Sequence, residues 1–179
     1  MKIGIMASQI SGHLTPATSY ESIATTTLST GATTITFSSI PATYKHLQLR
    51  TMCASDSGSA EQALKVSFNS NTTTTDYYAH RLNGNGATAG VYTTQDFLLG
   101  EVASTGSGYA VNVIDILDYT NTNKYKTGRA LFGIDNNGSG FVGLFSMVWM
   151  KTDAITSITL TQNTQIFRTY SSFALYGVK

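Results

Sequence analysis

Apolar and polar residues alternate with a period of two along most of this chain, in short runs set apart by clusters of Gly, Ser, Asn and Asp. The pattern predicts strands over 21–28, 33–40, 44–52, 63–68, 77–82, 97–102, 109–118, 125–134, 141–150, 155–161 and 173–178. Residues 59–65 compete as a helix, because Ser59 and Gln62 have capping-box spacing. The apolar positions then continue at Leu64, Val66 and Phe68, which is strand spacing, and the segment reads as strand. Asn83-Gly84-Asn85-Gly86 is the strongest turn signal, since Asn-Gly pairs supply positive φ at little cost. About eleven short strands without a heptad or an alternating strand–helix pattern predict an all-β fold, an antiparallel β-sandwich of jelly-roll or related Greek-key type. Residues 1–14 read as an N-terminal arm and 15–179 as a single sandwich domain.

Two strands depart from the half-buried pattern of an antiparallel sandwich. In 44–52, Leu47 and Leu49 face one way and His46, Gln48 and Arg50 the other, as expected for one wet and one dry face. In 141–150, Phe141, Phe145, Met147 and Trp149 share one face while Val142, Leu144, Val148 and Met150 share the other. Residues 109–118 repeat this more weakly, with Val111 and Val113 set against Ile114 and Ile116. A second apolar face needs cover, from a loop of the same chain or from a neighbouring subunit. Phe141, Phe145, Trp149 and Met150 are therefore the expected packing or interface residues.

Composition narrows the chemistry. The chain has 179 residues, a formal net charge of +1 and only 12% charged residues, so no strong field draws nucleic acid or an anionic membrane. Its 28 Thr and 16 Gly suit strands and turns. Cys53 is the only cysteine and falls on the apolar side of its strand, which excludes a disulfide framework and reads as a small buried hydrophobe. The opening MKIGIMASQISGHL is too short in apolar residues for a secretory core or a membrane span, so the expectation is a soluble protein made in a cytoplasm.

The segment DYTNTNKYKTGRALFGIDNNGSGFVG raises the question of a calcium loop. Counted from Asp118, the twelfth position is Arg129; counted from Asp135, it is Ser146, where a bidentate Glu is required. The flanks read as strands, so both oxygen-rich stretches are predicted to be hairpin connections and no metal or cofactor is expected. His13, His46 and His80 lack zinc-ligand spacing, and no G-x-S-x-G elbow or phosphate loop is present. His80 shares a face with Tyr78 and Leu82 and reads as a packed, hydrogen-bonded histidine. Asp115, inside an apolar strand, needs a partner, either a loop group or Arg129. No catalytic residue is assigned.

SYESIATTTLSTGATTITFSSIPATYKHLQLR (19–50), VIDILDYTNTNKYKT (113–127), DNNGSG and the ending SSFALYGVK occur in the order that resembles a family of tailed-bacteriophage proteins, small virion structural components. The resemblance implies a non-enzymatic virion protein, foremost a capsid cement or decoration protein whose partners are the major capsid protein or other virion proteins. Homo-oligomers, trimers among them, fit such a role. Ile3, Ile5, Met6, Ile10 and Leu14 are the docking candidates of the arm, by strand addition to a neighbour's edge. The alternative is a tail, neck or baseplate adhesin that binds host-surface glycans through Tyr77, Asn83, Asn85 and Tyr92.

Overall fold

In the computed structural model, which describes residues 19–58, 61–104, 108–136 and 138–179, the period-two runs form twelve strands in two antiparallel sheets. They are β1 (Tyr20–Thr27), β2 (Thr34–Phe37), β3 (His46–Cys53), β4 (Glu61–Phe68), β5 (Tyr77–Gly84), β6 (Ala89–Thr94), β7 (Leu98–Ala103), β8 (Ala110–Leu117), β9 (Lys126–Asp135), β10 (Gly140–Trp149), β11 (Ile158–Thr161) and β12 (Ser172–Val178). A 3-10 turn, Thr74–Asp76, precedes β5. The larger sheet has the order β1-β12-β3-β8-β9-β10-β5-β6, and the smaller β2-β11-β4-β7. The arm at 1–14 lies outside the described residues.

The expected β-sandwich is therefore present, with one strand more than the pattern gave. The addition is β6, whose sequence AGVYTT alternates poorly and carries Gly90. What makes it a strand is the turn before it. Asn85 Oδ1 accepts hydrogen bonds from the backbone N–H of Ala87 and Thr88, and the closed turn brings 89–94 into register with β5. The 63–68 run is strand, as its spacing predicted, and 155–161 shortens to β11.

Packing explains why the sheets are unequal. The smaller sheet lies across the middle of the larger one, with β7 packed over β8, β9 and β10. Leu47, Leu49, Ile114, Ile116, Phe132, Phe145, Met147 and Trp149 point inward and are buried. Phe68, Tyr77, Phe97 and Trp149 form an aromatic cluster with ring centroids 5.4–6.3 Å apart.

A polar strut links the two layers inside this core. Asn112 on β8 is fully buried; its Nδ2 donates to the Glu101 carbonyl (2.8 Å) and to Thr51 Oγ1 (2.9 Å), while its Oδ1 accepts from the Glu101 N–H (2.9 Å). The approach requires Gly100, whose φ is +152° and whose Cβ would stand 2.5 Å from Asn112 Oδ1. The Glu101 carboxylate, also buried, pairs with Arg81 of the larger sheet.

Candidate interaction surface

The outer face of the larger sheet, turned away from the smaller one, is where the doubly apolar strands lead. Register puts Val91 of β6 opposite Leu82 of β5, Leu82 opposite Leu144 of β10, Leu144 opposite Leu131 of β9, and Leu131 opposite Val113 of β8. Residues opposite one another in register share a face. Five aliphatic side chains thus form a ridge running across five adjacent strands, about 19 Å from end to end at the usual strand spacing.

This ridge is open. Relative exposure is 82% at Val91, 51% at Leu82, 53% at Leu144 and 54% at Leu131, and Val142 in the next row reaches 58%. Of the two sources of cover expected for the second apolar face, a loop of the same chain is absent among the described residues. Phe145 and Trp149 belong to the sandwich core, and half-buried Phe141 packs against it; Met150 follows β10 and is half-buried.

Hollows flank the ridge on both sides. One, of about 740 Å³, is bounded by Leu82, Leu144 and Leu131 and has the small Ser146 in its floor, with His80 and Arg129 beside it. The other, of about 420 Å³, shares the same three leucines and is floored by Gly84 and Val142. Gly133, next to Val142 in register, has nothing within 4 Å of the place a Cβ would occupy. His80 corrects an expectation: it is exposed beside this hollow, its ring 5.2 Å from Tyr78, rather than packed, because β5 turns its even positions to the uncovered side.

Beyond Val113 the same face turns polar. Asp115 Oδ1 accepts from Gln48 Nε2 (2.9 Å) and Oδ2 from Arg129 Nε (3.1 Å), so Arg129 is a partner of the carboxylate, as the sequence suggested. Arg50 Nε donates to Gln48 Oε1 (2.8 Å) and its guanidinium lies over the rings of Tyr176 (5.0 Å) and Tyr20 (5.5 Å). The charges here are met by one another.

The oxygen-rich stretches are strand connections, 118–125 between β8 and β9 and 136–139 between β9 and β10. Converging oxygens in the first are taken by a side chain. Lys126 is buried, and its ammonium donates to the carbonyls of Asn121, Lys124 (3.1 Å) and Thr152 (2.9 Å). Burial lowers its pKa from the ordinary 10.5. Asp118 has φ of 48°, its N–H donates to His46 Nδ1 (2.9 Å), and the hydrogen bond from Lys124 holds its carboxyl below the usual range. Among the described residues no group of three or more His, Cys, Asp or Glu stands together in a way that could hold a metal ion.

The glycan candidates separate. Asn83 and Tyr92 line one polar cleft of about 560 Å³, with Lys65, Arg81, Asp96 and Glu101, where the β5–β6 edge of the larger sheet overhangs the β4–β7 edge of the smaller. Asn85 spends its side-chain oxygen closing the β5–β6 turn. Tyr77 is fully buried, accepting from the Phe68 N–H (3.0 Å) and donating to the Asn71 carbonyl (2.9 Å), so it is a core residue and not a loop contact. The docking candidates Ile3, Ile5, Met6, Ile10 and Leu14 lie outside the described residues.

Sequence alone missed the cleft, because its members come from five strands and the connections beside them. The ridge it half found: β10 and β8 were flagged as apolar on both faces, but Leu82, Val91 and Leu131 join only through register. Compared with known proteins, the chain matches no family model, no curated protein and no solved structure.

Proposed function

We propose that this chain is a non-enzymatic structural component of a bacteriophage virion, a cement or decoration protein that bridges neighbouring capsid subunits from the outside. The observation that carries the reading is the open aliphatic ridge with its two hollows, a surface whose chemistry is packing and not catalysis. The resemblance of 19–50, 113–127 and the C-terminal block to tailed-phage virion proteins supplies the setting. The ridge and its neighbours expose apolar area on the order of 500 Å², as large as the largest patch on an ordinary monomer. It falls short of the ~800 Å² per partner of a standard interface. One such contact is weak, but a shell repeats its subunits, and many weak contacts together hold. A net charge of +1 fits contacts made by shape instead of steering. The arm at 1–14 provides the second attachment in this scheme.

Purified protein added to particles lacking it should co-sediment with them and raise the temperature at which the shell breaks. Removal of residues 1–14 should leave the sandwich folded and abolish decoration. A folded full-length chain that neither binds particles nor protects them would overturn the proposal.

A second reading, a tail adhesin for host glycans, is favoured by the one cleft that brings Asn83 and Tyr92 together among charged groups. Competition of adsorption by host polysaccharide, lost in Asn83→Ala and Tyr92→Ala, would select it over the first.

A further inference from the structure

We infer that the polar cleft beneath the β5–β6 edge is a binding site for neutral sugars, with Tyr92 as its stacking platform and Asn83 among its hydrogen-bonding groups. The inference rests on the second reading above, the glycan adhesin, and names the class of sugar that its cleft takes.

Charge is the first argument. Among the described residues two cations and two anions line the cleft, and each is met by its opposite. Arg81 on β5 pairs with Glu101 on β7, and Lys65 Nζ on β4 stands 2.9 Å from Asp96 Oδ2. The lining therefore carries no net charge and offers an ionic ligand no field to follow. A greasy ligand fares no better, because it would strip water from charged groups and return no hydrogen bond to them. What suits paired charges is a neutral molecule rich in hydroxyls, each of which both donates and accepts.

Preorganisation is the second. The Arg81 guanidinium lies over the rings of Phe141 (5.5 Å) and Phe132 (6.0 Å), and its Nε donates to Asn83 Oδ1 (3.1 Å). The Lys65 ammonium lies 5.0 Å from the centre of the Phe97 ring, and the Glu101 side chain is only 1% exposed. A ligand meets donors and acceptors already fixed in place, so little ordering opposes its binding.

Shape is the third. Register sets Tyr92 opposite Arg81 and Gly90 opposite Asn83, on the face of β5 and β6 that turns towards the smaller sheet. Tyr92 is about half exposed, which leaves a ring at the lip for the apolar face of a pyranose. Gly90 keeps the space beside the Asn83 amide open, since a Cβ there would stand 3.0 Å from Asn83 Oδ1. The cleft's volume of about 560 Å³ lies within the roughly 300–1,000 Å³ of small-ligand sites.

Ligand-observed NMR and calorimetry on the full chain test it, with lactose, maltotriose, cellotriose and chitotriose as neutral probes and sialyllactose as the anionic counterpart of lactose. The expected result is saturable binding of at least one neutral probe, in the millimolar range or tighter and insensitive to added salt. Tyr92→Ala and Asn83→Ala should each weaken it by about 10-fold, the loss of one stacked or hydrogen-bonded contact. Tyr170→Ser, at an exposed aromatic outside the cleft, should leave it unchanged. Unaltered Trp149 fluorescence in each variant reports that the sandwich is intact. A wild type that binds none of the neutral probes overturns the inference. So does binding that either cleft variant leaves unchanged, or a salt-sensitive preference for sialyllactose over lactose, which would mark an anion site. Host polysaccharide that competes adsorption while the purified chain ignores every neutral probe would sink the neutral-sugar site and leave the adhesin reading standing; sugar binding in solution with no bearing on adsorption would do the reverse.

Discussion

Both faces of the larger sheet carry apolar rows on the same strands, yet the rows have opposite fates. Inward, Phe132, Phe145, Met147 and Ile114 are sealed by β7 and the rest of the smaller sheet. Outward, Leu131, Leu144 and Leu82 touch one another but stay about half exposed. The smaller sheet has four strands against eight and covers one side only. Hydrophobicity therefore identifies surfaces that want a partner, while strand count decides which of them the chain can satisfy alone. In the reading proposed here, the unsatisfied one is the working surface.

The contrast is sharpest at two adjacent residues of β9. Phe132→Ala removes a ring packed 5.4 Å from Phe145 and 6.0 Å from Phe141 and should cost about 3–5 kcal/mol. Leu131→Ala, one position earlier and pointing out, should change the stability of the dilute monomer by less than about 1 kcal/mol. Urea unfolding followed by Trp149 fluorescence measures both. Equal losses would mean that the outer face is covered within one chain, and the comparison would fail.

Alkaline titration probes the inner side next. Burial pushes the Cys53 thiol up to about 12 from 9.0, and the Tyr77 hydroxyl up to about 12 from 10.0. Both folded-state values are raised, so the stability they lend is complete below the unfolded values and drains away as pH climbs from 9 towards 12. For Cys53 the loss is on the order of 4 kcal/mol across that window. Lys126 works in the opposite sense, since its lowered pKa makes deprotonation favour the fold. Cys53→Ala should flatten the fall in stability above pH 9 as measured by urea midpoints; an unchanged slope would place the thiol in contact with solvent.

Lys126→Met comes third, at about 2–3 kcal/mol, because three carbonyls at the base of the β8–β9 connection lose their donor. Its near neighbour Lys124, paired with Asp118 at the surface, should matter far less, under about 1 kcal/mol on change to Met. Chemical denaturation of the two variants side by side separates a buried ammonium from a screened one.

Much of the fold was legible because local rules act locally. Alternation placed eleven of the strands, and the Asn-Gly turn marked the hairpin whose second arm, β6, alternates too poorly to declare itself. Doubly apolar β10 marked a second face in need of cover, from a loop or from a neighbour. What the pattern could not supply is register. Leu82, Val91 and Leu131 look like ordinary alternating positions until pairing lines them up beside Leu144, and Tyr77, which resembles a loop aromatic next to a Thr-rich turn, is drawn into the core by the smaller sheet. The oxygen-rich connection was read as a turn, but nothing in its spacing pointed to the ammonium that gathers its carbonyls, because one of the three comes from Thr152, far along the chain.

The smallest expected effect tests where the working surface stops. Arg129 stands in the row beyond the ridge, exposed, bonded to Asp115, and on the wall of the larger hollow. In a dilute monomer Arg129→Ala should cost no more than about 1 kcal/mol, as exposed ion pairs do. Asp115 then keeps only the amide of Gln48, and on this exposed face water takes the place of the missing guanidinium. The loss, read as the urea midpoint of the variant against the wild type, should be modest and should shrink further with added salt, because Gln48 still donates to Asp115 and the pair is open to solvent. A loss as large as that of Lys126→Met, unmoved by salt, would mean that the Arg129–Asp115 pair is shielded from water and that cover on the outer face reaches past the ridge, towards Arg50 and Tyr176.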